Sequence, residues 1–121
     1  MASILVIEDE PETRRMLKET LAGAGYEVTT AADGHEGTAS FRASPPDLVV
    51  TDIYMPNKDG LEVIMELRAR FPKTRIIAIS GQVTTKNMLP VANTLGAARA
   101  LPKPFTPDEL LQAVEEVLQA K

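Results

Sequence analysis

Five polar residues each follow an apolar run, and together they describe one chemistry. Glu8 and Asp9 follow Ile4-Leu5-Val6-Ile7, Asp52 follows Leu48-Val49-Val50-Thr51, Ser80 follows Ile76-Ile77-Ala78-Ile79, and Lys103 follows the weaker run Arg99 to Leu101. Each run reads as a strand, so the five would stand on one edge of a sheet. Three carboxylates crowded on one rim repel one another; they either take up protons more readily than isolated acids or hold a hard divalent cation. Mg²⁺ suits them best, because it takes oxygen ligands from few protein groups and keeps several waters, with Mn²⁺ able to substitute. The set has neither histidine nor thiolate, which disfavours zinc and copper. A lysine and a hydroxyl beside a cation call for an anion between them, and a phosphoryl group has oxygens for all three. Asp52 is then the natural nucleophile, since a carboxylate accepts a phosphoryl group as an aspartyl phosphate.

Taken singly, each residue has an ordinary structural explanation that outweighs the functional one. Asp9 is placed to cap a helix opening at Pro11, Asp52 to end a strand, Ser80-Gly81 to turn, and Lys103 to sit in solvent before Pro104 and Phe105. Jointly those explanations require five unconnected accidents on one edge.

The elements that must position these residues alternate. The three strongest runs are continuous rather than alternating, as in strands covered on both faces of a parallel sheet. Tyr26 to Thr30 is a further strand, and Arg99 to Leu101 the weakest. Thr106-Pro107-Asp108-Glu109 is a capping box with proline at the first helical position, followed by Leu110, Val114, Val117 and Leu118 on one stripe. A helix from Pro11 turns Leu17 and Leu21 inward and ends at Gly23 and Gly25; another follows Asp59-Gly60, with Leu61, Ile64, Leu67 and Phe71 on one face until Pro72. Gly34 and Gly37 weaken a helix near Ala39 and Phe41, and Thr84, Thr85 and Pro90 weaken one ending at Gly96. Strand and helix alternating about five times imply right-handed crossovers and a three-layer α/β sandwich.

Composition narrows the function. The 121 residues suit one domain, and the absence of cysteine excludes disulfides and thiol catalysis. A net charge of −4 argues against a sequence-independent hold on nucleic acid. The longest apolar runs are four residues, far below the roughly 20 of a membrane helix, and Met1-Ala2-Ser3 leads straight into a strand without a secretory pattern. These features lead us to expect a cytoplasmic protein without membrane or direct nucleic acid partners. Gly23-Ala24-Gly25 closes a helix and is no dinucleotide loop, and His35 belongs on a solvated helix face.

The chain resembles the receiver domain of two-component response regulators of the chemotaxis-regulator type. The resemblance is carried by Ile4 to Glu10, by Pro46 to Pro56 with Asp59-Gly60, by Ile79-Ser80-Gly81 and by Leu101-Pro102-Lys103-Pro104-Phe105, in the family's order and spacing. It implies an α/β, (βα)5 doubly wound, five-stranded parallel sheet of order 2-1-3-4-5, a flavodoxin-like three-layer sandwich, forming a receiver over residues 1–121, without an output domain, that is a signalling module rather than an enzyme acting on other substrates. A phosphohistidine on a sensor histidine kinase or histidine phosphotransfer protein would donate to Asp52. Mg²⁺ would be held by Asp9, Asp52 and the backbone carbonyl of Tyr54, with Glu8 acting through a metal-bound water. Lys103 would pair with one phosphoryl oxygen and Ser80 with another, drawing the loop after the fourth strand inward. Tyr54 and Gln82 would tune hydrolysis, and the Lys103-Pro104 bond would be cis. The protein would be a monomer or a weak phosphorylation-dependent dimer, with Met88, Leu89 and Val91 as candidate contacts.

Two departures qualify the resemblance. The acidic pair is Glu8-Asp9 rather than two aspartates, a longer arm that still serves a metal. Three residues before Lys103, where the family usually has an aromatic ring that swings on activation, stands Ala100. Output would then pass through the backbone around Ser80 and the helix that contains Pro90. Two rival readings remain: a receiver-like binding module that is never phosphorylated, and a small phosphohydrolase of the haloacid dehalogenase type. The phosphohydrolase needs a second acid two residues beyond the nucleophile, where Tyr54 stands.

Overall fold

Residues 2–53, 60–80, 97–102 and 104–119 are described by a computed structural model, with the side chain of Ser80 excepted. The chain runs β1 (Ser3–Ile7), α1 (Pro11–Gly23), β2 (Glu27–Ala31), α2 (Gly34–Ala43), β3 (Leu48–Asp52), α3 (Gly60–Arg70), β4 (Ile76–Ser80), β5 (Arg99–Pro102) and α4 (Pro107–Gln119). The strands form one sheet of order β2-β1-β3-β4-β5, with every neighbouring pair parallel. The expected order and layering are therefore found. The helix foreseen up to Gly96, with Met88, Leu89 and Val91, lies outside the described residues, as does the Lys103-Pro104 bond.

Continuous apolar strands bury side chains on both faces, and this sheet divides its core accordingly. Leu5, Ile7, Val49, Ile76 and Ala78 pack with Phe41 of α2 and Val63, Ile64 and Leu67 of α3. Ile4, Val6, Leu48, Val50, Ile77 and Ile79 pack with Leu17 and Leu21 of α1 and with Leu110, Val114 and Val117 of α4. β3, the central strand, is buried at all five positions, including Thr51 and Asp52. Two parallel starts are tied together before it: the Ser3 amide donates to Asp47 Oδ2 (2.8 Å), and the Asp47 amide donates to the Ser3 carbonyl (2.9 Å).

The helix ends follow their local chemistry, with two corrections. The capping box of α4 is reciprocal: the Glu109 amide donates to Thr106 Oγ1 (3.1 Å), and the Thr106 amide donates to Glu109 Oε1 (2.9 Å). α1 is capped differently from the expectation, because its N-cap is Glu10, with no side-chain cap, and not Asp9. Pro11 brings no amide to the first turn, which removes one of the donors a cap would satisfy, and leaves the Asp9 carboxylate to the sheet edge. β2 begins one residue later than Tyr26 and ends at Ala31; Tyr26 completes the α1 exit, where its amide donates to the Leu21 carbonyl (3.2 Å) after Gly25 takes a φ of 97°. α2, weak by composition, is held by Asp33, whose Oδ1 accepts from the Glu36 amide (2.8 Å). Among the described residues, no helix is long and apolar enough to cross a membrane.

Candidate functional site

β1 and β3 are neighbours in register, with Ile7 opposite Thr51, so the residues that follow them emerge side by side. Glu8 is fully buried, Asp52 is 6% exposed and Asp9 is half-buried. One carboxylate oxygen from each lies within 4.8 Å of the others. The sequence therefore placed the three acids correctly. Two unit charges at that separation repel by roughly 3.5 kcal/mol at an effective dielectric of about 20, so a structure that holds three there gains from a cation among them. The donor set is all oxygen, with one acid open to water, and fits a small hard cation that keeps part of its hydration.

Local hydrogen bonds hold the acids in place. The Glu8 amide donates to the Ala31 carbonyl (3.0 Å), and Arg14 Nη1 reaches back from α1 to the Glu8 carbonyl (2.9 Å). Glu8 Oε2 accepts from the Glu10 amide (3.2 Å). Beyond Asp52, the Ile53 amide donates to the Ile79 carbonyl (2.9 Å), extending the ladder past the nucleophile candidate. Gly60 closes the other side. Its amide donates to the Ile53 carbonyl (2.8 Å), and a Cβ there would overlap the Asp52 carbonyl oxygen and lie 2.7 Å from the Ile53 Cα. Only a residue without a side chain lets α3 begin this close to the end of β3. Gly37 plays the same part for β1, since a Cβ on it would overlap the Ile7 side chain.

Sequence reasoning read Gly60 as a helix start and Gly37 as a weakness. The paired signal was a glycine beside a site-bearing strand end. Arg14 was not singled out; a cation six residues after a strand-end acid, one turn into a helix, was the available sign.

The other predicted residues are distributed as follows. Ser80 ends β4 and pairs with Pro102 of β5, on the same edge as Asp52, which pairs with Ile79. Ala100 is half-buried on β5 opposite Ala78. The Ser80 side chain, Tyr54, Gln82 and Lys103 lie outside the described residues.

A parallel five-stranded sheet of this order with an acidic cluster at the carboxyl ends of β1 and β3 defines a class of α/β protein, and comparison with known proteins gives the family. The family model for the response regulator receiver domain matches residues 4–115. The probable transcriptional regulator ycf27 of Cyanophora paradoxa is 40% identical over 118 residues, covering 96% of this chain and 48% of that protein. The chain thus spans about half the length of the ycf27 relatives it matches, and 24% of the transcriptional regulator NtrC of Salmonella typhimurium, which is 33% identical. Among solved structures, the receiver domain of NtrX from Brucella abortus superposes with a TM-score of 0.93 at 30% identity, covering 98% of this chain and 99% of that one. The response regulator TrrA of Thermotoga maritima, solved in complex with Mg²⁺-BeF, gives 0.87 at 37% identity, covering 97% and 99%. The chain belongs to the response regulator receiver family, the phosphoacceptor modules of two-component signalling.

Proposed function

We propose that this receiver takes a phosphoryl group on Asp52 from a phosphohistidine of a sensor histidine kinase or histidine phosphotransfer protein. A carboxylate oxygen of Asp52 attacks phosphorus, the phosphorus–nitrogen bond breaks, and the imidazole leaves with the electron pair and takes up a proton. The observation that carries this reading is the burial of Asp52 within 4.8 Å of two further acids at the carboxyl edge of the sheet.

Glu8, Asp9 and Asp52, with the Tyr54 carbonyl, are the residues we assign to Mg²⁺, which supplies positive charge against the phosphoryl oxygens. The all-oxygen donor set supports that assignment, as does the Mg²⁺ complex of the TrrA relative. Lys103 is assigned to one phosphoryl oxygen and Ser80 to another, and Tyr54 and Gln82 to tuning the rate of hydrolysis. The chain would thus catalyse its own phosphorylation and dephosphorylation. Ala100 offers no ring to swing, so the signal leaves through the Ser80 backbone and the loop that follows it.

The test is the intact mass after incubation with acetyl phosphate and Mg²⁺. A phosphoryl-sized gain that requires Mg²⁺ and is lost in Asp52→Asn is expected. Equal gain in that variant would overturn the assignment of the acceptor.

A further inference from the structure

The opposite edge of the sheet carries a second concavity. Phe41, Pro45, Pro46, Phe71 and Pro72 line it, around a volume of about 510 Å³. That size falls in the range of small-molecule sites. Phe41 is 2% exposed and stacks, tilted, on Phe71 with ring centroids 4.7 Å apart, so the half-buried Phe71 ring is a fixed wall. The prolines stiffen the backbone around it. Pro46 precedes Asp52 by six residues, about 20 Å of extended chain, which separates this groove from the acidic cluster.

Charge at the groove runs against the rest of the molecule. The stretch from Leu67 to Arg75 contains Arg68, Arg70, Lys73 and Arg75 and no acid, in a chain of net charge −4. Two of those cations are engaged with backbone: Arg68 Nη1 donates to the Thr74 carbonyl (2.9 Å), and Arg75 Nη1 to the Leu118 carbonyl (3.0 Å). Arg70 and Lys73 line the groove, are exposed, and have no partner among the described residues.

Aromatic and proline residues lining a groove together with two unengaged cations suit a flat apolar ring bearing a carboxylate. We propose that this groove binds a small aromatic carboxylate, its ring against Phe71 and the prolines and its carboxylate on Arg70 and Lys73. Arg70 brings a planar fork of donors suited to a carboxylate, and Lys73 a second positive charge.

The test is an amide-shift titration of the whole chain with naphthoate, with naphthamide and with acetate. Saturable shifts at Phe71, Lys73 and Thr74 are expected with naphthoate, at least about tenfold tighter than with either control. In the double variant Arg70→Gln, Lys73→Gln, both changes being on exposed side chains, naphthoate should weaken by about tenfold or more. The same variant should take up a phosphoryl group from acetyl phosphate as the native chain does, so that failure here and failure at Asp52 are separate results. Equal binding of naphthamide and naphthoate, unchanged affinity in the double variant, or the absence of saturable shifts at these residues would each overturn the proposal.

Discussion

Asp9 is the acid of the cluster most open to water, which makes it the residue through which the cation reading is most cleanly tested. Its removal leaves Glu8 and Asp52 buried where they are. At a Mg²⁺ concentration of a hundred times the dissociation constant, binding to the folded state alone adds about 2.7 kcal/mol of stability. Urea unfolding with and without Mg²⁺ should show that gain in the native chain and lose most of it in Asp9→Asn. Equal stabilisation of both proteins would place the ion elsewhere. At this scale the three acids were legible because each stands within two residues of the end of an apolar run, and strand direction alone brings such residues to one edge. Asp9 read as a helix cap was the error, since capping residues and metal ligands draw on the same side chains and only the backbone of Glu10 distinguishes them here.

At the scale of elements, the position of α3 against β3 and the stability of α4 are separable. Gly60→Ala should destabilise the fold by roughly 1–3 kcal/mol, because the added methyl group meets backbone that cannot step aside. It should also slow phosphoryl uptake, since the displaced atoms belong to Asp52 and Ile53. Thr106→Ala removes half of a capping box at an exposed helix start and should cost about 1 kcal/mol with uptake unchanged. Denaturant melts paired with initial uptake rates distinguish the two; a Gly60→Ala protein that is destabilised yet transfers at the native rate would refute the positioning role. The capping box of α4 was readable in advance because four adjacent residues determine it. The hold of Asp33 on α2 was not, since the two glycines of that helix lower its propensity and Gly37 earns its place only through contact with Ile7, 30 residues earlier in sequence. The one-residue displacement of β2 has a similar origin, for Tyr26 has strand character locally but is claimed by the turn that closes α1.

The whole molecule is two half-cores separated by a sheet, and its energetics should divide in the same way. Ile4 belongs to the α1 and α4 side and Ile64 to the α2 and α3 side, both essentially without exposure. Ile4→Val and Ile64→Val should each cost about 0.5–1.5 kcal/mol, and the double variant should equal their sum to within about 0.5 kcal/mol. A larger discrepancy in chemical denaturation would show that the sheet couples its faces. Fold class was legible at this scale because runs apolar on both faces, joined by helical segments, admit few topologies, whereas the strand order came from the resemblance to the receiver family. What the whole arrangement exists to do, on our account, is present Asp52 to a phosphoryl donor. Borohydride trapping tests this most directly: reduction of an aspartyl phosphate yields homoserine, and peptide mass spectrometry after Mg²⁺ and acetyl phosphate treatment locates it. Homoserine at position 52 and at no other acid is the predicted result, whereas a phosphorylated chain with homoserine elsewhere, or with none, would contradict the account.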